Sequence, residues 1–91
     1  MEQRQDDILV RVGQAMFDAY VEHKKRTGRD PVMQVHFSER GLNDAKRTAL
    51  SGVAFIAGMD RKPNTVYGWP YAVNVLLECD FEVRIVGERR A

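Results

Sequence analysis

The sequence predicts an α+β domain in which two helices cover one face of a small, mostly antiparallel sheet of about four strands. Three observations predict it: a long amphipathic helical pattern near the N-terminus, a shorter helical pattern in the middle, and alternating or apolar segments between and after them. Their order along the chain is helix, strand, helix, strand, strand, strand. Because 91 residues suffice for one modest core, we expect a single domain over 1–91, with flexible ends at 1–6 and 87–91.

The first helix is predicted from about Asp7 to Thr27, because apolar residues recur there at helical spacing. Gly28 suits its C-terminal stop. Gly13 lies inside the helix at a cost of about 1 kcal/mol relative to alanine, which predicts that another element approaches closely there. The predicted apolar positions are Ile8, Leu9, Val12, Met16, Phe17, Ala19 and Tyr20.

A half-buried strand is predicted from Val32 to Phe37, where apolar and polar residues alternate. Ser38 is a suitable N-cap for a second helix that runs to about Leu50, although Gly41 lies early in it. The residues of the strand that face the core are then Met33, Val35 and Phe37.

The second half of the chain predicts strands joined by turns. The run from Val53 to Ala57 is typical of a short buried strand, and Gly58 to Asn64 carry turn chemistry. Thr65 to Leu77 predicts a long strand that is interrupted near Pro70, because proline cannot donate to a ladder and favours an edge strand or a bulge. Phe81 to Ile85 alternates and predicts a last strand, which we expect to form a hairpin with the long one.

Three aromatic side chains, Tyr67, Trp69 and Tyr71, recur at period-two spacing within the predicted long strand. On an extended segment they would share one face and form a single row. Such a row is either core or a contact surface, because aromatic residues dominate both small cores and interface hot spots. We predict that this row binds a partner, with the core as the alternative for the same three rings.

Two basic residues, Arg61 and Lys62, precede the aromatic row and extend the predicted partner-binding site. A cationic edge beside aromatic rings is also a pattern found in proteins that bind single-stranded nucleic acid. With 14 basic and 13 acidic residues, however, the formal net charge is +1, and the lysines that end the first helix are explained by its dipole. A solvated face is therefore favoured over a nucleic-acid interface.

The sequence carries no recognised catalytic, cofactor-binding or metal-binding signature. Cys79 lies between two carboxylates, which disfavour its thiolate. One cysteine and two histidines thirteen positions apart match none of the usual zinc spacings. His36 is predicted to be solvent-facing or hydrogen-bonded on its strand, and His23 to be exposed on its helix. We therefore expect no enzyme activity, no cofactor and no metal site.

The single cysteine predicts a reducing, cytoplasmic setting. The apolar runs are far shorter than the roughly 18 residues of a membrane span, so we expect no membrane partner. The stretch from Thr65 to Val86, through Gly68 and Pro70, resembles strand-turn-strand segments of tailed-phage proteins. That resemblance rests on the glycine and the proline and transfers no function.

The sequence thus predicts a small non-enzymatic interaction protein, for example a phage or mobile-element accessory that inhibits a host protein complex by binding to it. We expect a protein partner and self-association into a homodimer, since an edge strand and a broad apolar helix stripe each offer a second surface. The alternative is a nucleic-acid-binding accessory or regulatory protein that uses the aromatic row with Arg61 and Lys62.

Overall fold

The structure, a computed structural model, describes residues 7–48, 57–59 and 64–89. Two helices pack on a four-stranded mixed sheet, which confirms the predicted α+β class. The order of helix, strand, helix and three strands matches the predicted order, although β2 and β3 both come from the one long strand predicted from Thr65. The elements are α1 Ile8–Thr27, β1 Pro31–Phe37, α2 Glu39–Thr48, β2 Thr65–Val66, β3 Trp69–Val73 and β4 Phe81–Glu88.

Helix α1 begins and ends where its sequence pattern predicts. Gly28 ends it in the left-handed conformation, with a φ of 75°, and donates its N–H to the Lys24 carbonyl oxygen at 2.8 Å. The close approach predicted at Gly13 comes from Tyr67, because a Cβ built on Gly13 would lie 2.6 Å from the Tyr67 hydroxyl oxygen. The glycine in mid-helix therefore makes room for an aromatic ring.

Two side chains of α1 lie on the opposite side from the one predicted. Phe17, assigned to the apolar face, is 64% exposed, whereas His23, expected to be exposed, is only 7% exposed. Successive residues of an α-helix are rotated by about 100° around its axis. His23 follows Met16 by seven residues and therefore shares its buried face, while Phe17 is rotated away from it.

Strand β1 lies inside the sheet, whose order is β2-β3-β1-β4. Its burial alternates as predicted, with Met33, Val35 and Phe37 buried. It pairs with β3 in parallel and with β4 antiparallel. The hairpin predicted between the aromatic strand and the last strand is therefore wrong, because β1 lies between them.

The connection from β3 to β4 crosses the C-terminal end of β1. Asn74 donates its N–H to the Phe37 carbonyl oxygen at 2.7 Å, and Ser38 donates its N–H to the Asp80 carbonyl oxygen at 3.1 Å. These two bonds place β3 and β4 on opposite sides of the same strand. A strand with its apolar face buried gains by having neighbours on both edges, since its backbone N–H and C=O groups then find hydrogen-bond partners within the sheet.

Helix α2 begins at the predicted N-cap. The Ser38 hydroxyl oxygen accepts a hydrogen bond from the N–H of Gly41 at 3.0 Å, the usual partner of an N-cap side chain. A Cβ on Gly41 would overlap the backbone carbonyl oxygen of Asp80, so the loop before β4 requires a glycine at this position. The helix is described as far as Thr48, and the last two residues predicted for it lie outside the described residues.

In the second half of the chain, the strands differ from the predicted ones in their bounds. Of the strand predicted from Val53 to Ala57, only Ala57 is described; it is buried, belongs to no strand, and accepts a backbone hydrogen bond from Tyr67. The long strand predicted from Thr65 is divided into β2 and β3 and ends at Val73. At the other end, β4 runs to Glu88, two residues into the segment predicted as a flexible end.

The core lies between the helices and the covered face of the sheet. Helix α1 supplies much of it from one side, and β1 supplies the facing layer. We call these side chains the buried cluster. Its members are Ile8, Leu9, Val12, Met16, Met33, Val35, Phe37, Ala45, Ala57 and Val66.

Candidate functional site

The aromatic row predicted on one strand is divided by a turn. Tyr67 and Gly68 have φ values of 52° and 83°, and Val66 pairs with Trp69 across them. Two consecutive residues with positive φ are the pattern of a type I′ hairpin turn. Tyr67 therefore does not share a strand with Trp69 and Tyr71, and the prediction of one extended row is wrong.

Tyr67 is held in this turn by its contacts with α1. A left-handed conformation costs a residue other than glycine about 1–2 kcal/mol. The Tyr67 hydroxyl donates to the carbonyl oxygen of Leu9 at 2.9 Å, and its ring lies against Gly13. Partial burial raises the pKa of the phenol above its ordinary value. The side chain thus connects the turn to α1, which offsets the unfavourable backbone conformation.

Trp69 and Tyr71 lie two residues apart on β3, and both are half-buried against the buried cluster. Tyr71 is opposite Val35 in the sheet, and its ring meets Phe37 edge to face, with centroids 5.4 Å apart. The Arg89 guanidinium lies 5.6 Å from the Trp69 ring centroid, within cation–π range. The rings therefore pack at the rim of the core, and partner binding by them stays a prediction.

Pro70 was predicted to mark an edge strand or a bulge, and the first of these is wrong, because β3 lies between β2 and β1. It pairs with Thr65 of β2, while the ladder between β3 and β1 runs from Tyr71 to Val73. Because proline has no N–H, the pairing with β1 starts only after it. The two edge strands of the sheet are β2 and β4.

Arg61 and Lys62, the basic half of the predicted site, lie outside the described residues. Two cations near the end of α1 face carboxylates of the same chain. Lys24 Nζ is 2.6 Å from an Asp30 oxygen, and an Arg29 guanidinium nitrogen is 3.3 Å from a Glu88 oxygen. These ion pairs give the two cations an intramolecular role.

Two carboxylates join the C-terminal end of α1 to the sheet and to the turn before β1. A Glu88 oxygen lies 2.7 Å from His23 Nε2, and this hydrogen bond, helped by Arg29, holds the pKa of the Glu88 carboxyl below its usual range. Asp30 accepts hydrogen bonds from Lys24 and from the Tyr20 hydroxyl, and in that order they lower the pKa of its carboxyl. Both carboxylates therefore favour the folded state when ionised.

Folding stability is expected to fall as the pH drops from about 5 to about 3. A carboxyl whose pKa is lowered by folding contributes its stabilisation above the unfolded value of about 4, and loses it as the pH falls through the lower folded value. Replacing Glu88 with glutamine should flatten this part of the profile. Urea unfolding at a series of pH values between 3 and 7 measures it.

Asp30→Asn serves as the companion variant, because its carboxylate has different partners from that of Glu88. Each single variant should remove part of the acid dependence, and the double variant should remove more. A wild-type slope retained in both single variants would contradict the role given to these pairs.

A second apolar surface runs along the side of α1 that faces away from the buried cluster. We call it the outer stripe; it consists of Val10, Phe17 and Val21, which are 37%, 64% and 39% exposed, with Gln14 between the first two. The breadth of the apolar pattern on α1 predicted a second surface, but its residues were not identified, because Phe17 was assigned to the core. Its signal in the sequence is the spacing of four, three and four residues, which is that of a helix–helix seam.

The histidines and the cysteine occupy separate places in the fold. His36 is half-buried and hydrogen-bonded to Gln34 and Asn74, in agreement with its prediction, and the exposed Cys79 donates its thiol to the Phe81 carbonyl oxygen. Across residues 7–48, 57–59 and 64–89, no group of three or more acidic, histidine or cysteine side chains could hold a metal ion. Within the same residues, no helix has the length and apolar character needed to cross a membrane.

Comparison with known proteins finds no matching protein family, no matching curated protein and no matching solved structure.

Proposed function

We propose that this chain is a small non-enzymatic interaction module that binds an amphipathic helix of another protein through the outer stripe. The observation that carries this proposal is the exposure of Phe17 between two exposed valines on a 20-residue helix. Apolar side chains exposed singly are normal on a protein surface. Three of them aligned at seam spacing form a strip along which a second helix can pack.

The outer stripe supports binding better than the aromatic side chains do. The rings of Tyr67, Trp69 and Tyr71 pack against the buried cluster, and the hydroxyl of Tyr67 is bonded to α1. The side chain of Phe17 points away from that cluster and is the more accessible ring. A partner helix with apolar residues every three or four positions would cover it, and a polar residue of that helix would face Gln14.

The predicted role as an inhibitor of a host protein complex, encoded by a phage or a mobile element, is one form of this proposal. A module that covers an amphipathic helix of one subunit would compete for that helix with the subunit's own partner. A cytoplasmic setting, in keeping with an exposed free thiol at Cys79, belongs to the same proposal.

Phe17→Asp should abolish partner binding without unfolding the chain. A charge in the centre of the seam would be buried unpaired in the complex, whereas in the free protein it faces water, where surface substitutions change stability by about 0.5 kcal/mol or less. The measurement is capture of partners by the tagged full-length chain, with identification by mass spectrometry and with thermal unfolding of each variant.

Val75→Asp is the matched control, because it places the same charge on an exposed valine in the loop between β3 and β4. Proteins retained by the wild type and by Val75→Asp, but lost with Phe17→Asp, support the proposal. Retention that is unchanged by Phe17→Asp overturns it. Retention that disappears on nuclease treatment and falls steeply with added salt would instead support the nucleic-acid alternative.

A further inference from the structure

Strand β4 is the longest strand of the sheet and, among the described residues, forms one of its edges. It has eight residues, pairs on one side with β1, and is the last strand in the sheet order. From Arg84 to Glu88 every residue is exposed, and within residues 7–48, 57–59 and 64–89 no further strand pairs with the outer edge of β4. An edge of this kind presents unpaired backbone N–H and C=O groups to a further strand.

The first part of β4 has few of the features that normally block edge pairing. Proline, bulges and charged side chains, lysine above all, are the usual protections of an edge strand, and the charges of this segment are Glu82 and Arg84. Residues 81–85 contain neither proline nor lysine, and the one register shift in the pairing with β1 comes after them, between Ile85 and Gly87. A regular segment of five residues, Phe-Glu-Val-Arg-Ile, is therefore available for pairing.

The alternation of this segment is complementary to itself. If two copies of β4 pair antiparallel about a two-fold axis at Val83, Glu82 lies opposite Arg84 of the second copy, and Arg84 lies opposite Glu82 of that copy. Phe81 and Ile85 then face each other in the same way, and Val83 faces its own equivalent. Opposite charges and apolar pairs directly across two strands are the stabilising combinations.

Neighbouring registers lack this match. A two-fold axis perpendicular to the sheet pairs residues that lie on the same face, so the axis can move only in steps of one residue along both strands. Centred at Arg84, it would place two arginines opposite each other. Centred at Glu82, it would place two glutamates opposite each other, and like charges in that position are destabilising.

We propose that two copies of this chain associate through β4 in the register centred at Val83, which joins two four-stranded sheets into one. In the single chain, Glu82 and Arg84 already form an exposed ion pair, 2.9 Å between the guanidinium and the carboxylate. In the dimer the two pairs come together as a group of four alternating charges. The proposal does not depend on the proposed function, because the outer stripe lies on the far side of α1 from the sheet.

The dimer also has a consequence for binding. Both helix layers lie on the same side of the joined sheet, so the two outer stripes face the same way. A partner with two helices, or a dimeric partner, would engage both stripes at once and bind more tightly than to a single copy.

Charge reversal tests this register on the full-length chain. Sedimentation equilibrium from about 1 to 300 μM should give a mass that rises from 10.4 kDa toward twice that value. Glu82→Arg and Arg84→Glu should each weaken self-association by about tenfold or more, because each places like charges across the interface twice. The double variant restores opposite charges at both positions and should recover dimerisation.

Three outcomes overturn the proposal. The first is a mass of 10.4 kDa across the whole range for the wild type. The second is dimerisation that is unchanged in both single variants, and the third comes from a variant of α1. Phe17→Asp is the control for the other apolar surface and should leave the dimer intact; a dimer lost only in that variant would assign self-association to the outer stripe and would also overturn pairing through β4. Circular dichroism confirms that each variant remains folded.

Discussion

Replacing Phe37 with alanine is expected to destabilise the protein by about 3 to 5 kcal/mol, the usual cost of removing a fully buried aromatic side chain. Phe37 is the largest fully buried side chain of the described residues. It lies at the end of β1, opposite Val73 on one side and Phe81 on the other, and its ring packs against that of Tyr71. Its removal would leave a cavity bordered by three strands.

Phe17→Ala is the matched control, since it deletes the same side chain from the outer stripe, where the ring is 64% exposed. Urea unfolding followed by circular dichroism should show a loss of less than about 1 kcal/mol for this variant. A domain of this size is stable by about 5 to 15 kcal/mol, so Phe37→Ala should unfold at much lower urea concentrations. Equal losses in the two variants would contradict the burial assigned to them.

The elements that the sequence predicts best are those whose signals are local. The limits of α1 follow from its periodicity and from Gly28, the start of α2 from Ser38, and the buried side of β1 from strict alternation. Each of these signals acts within a few residues, through hydrogen bonds or side-chain direction that any chain with the same pattern would adopt.

The features that were predicted wrongly depend on contacts between distant segments. The turn at Tyr67 uses a residue that disfavours positive φ, and the partner that holds it there is Leu9, far away in sequence. The position of β1 between β3 and β4 likewise depends on how the β3–β4 connection crosses its end. Neither contact has a local sequence signature, although Gly13 did indicate that another segment approaches α1 closely.

In the candidate site, too, local signals were predicted correctly and long-range contacts were not. The aromatic residues were found from their spacing, but whether a ring faces the core or a partner depends on which side of the strand the helices cover. That choice is made by the register of β3 with β1, which places Tyr71 opposite the buried Val35. The outer stripe, by contrast, follows from helix periodicity as soon as the buried face of α1 is known to contain Met16 and His23 and not Phe17.

Trp69→Ala is expected to destabilise the fold by about 3 kcal/mol, near the lower end for aromatic truncations because the ring is only half-buried. The ring packs against the buried cluster from β3, and the Arg89 guanidinium lies 5.6 Å from its centroid. Truncation therefore removes apolar contacts and a cation–π pair together. Because Trp69 is the single tryptophan, the variant has no tryptophan fluorescence. Urea unfolding of the wild type and of Trp69→Ala is therefore followed by far-ultraviolet circular dichroism.

The same variant separates the two roles predicted for the aromatic side chains. If Trp69 belongs to the fold, Trp69→Phe should recover most of the stability, because a smaller ring still covers the cluster, and binding should follow the folded fraction. If it is an interface residue, Trp69→Ala should weaken binding by about 2 kcal/mol or more while the urea midpoint stays unchanged. An unchanged urea midpoint for Trp69→Ala would contradict the packing role derived for this ring. It would instead favour the prediction that Tyr67, Trp69 and Tyr71 bind a partner.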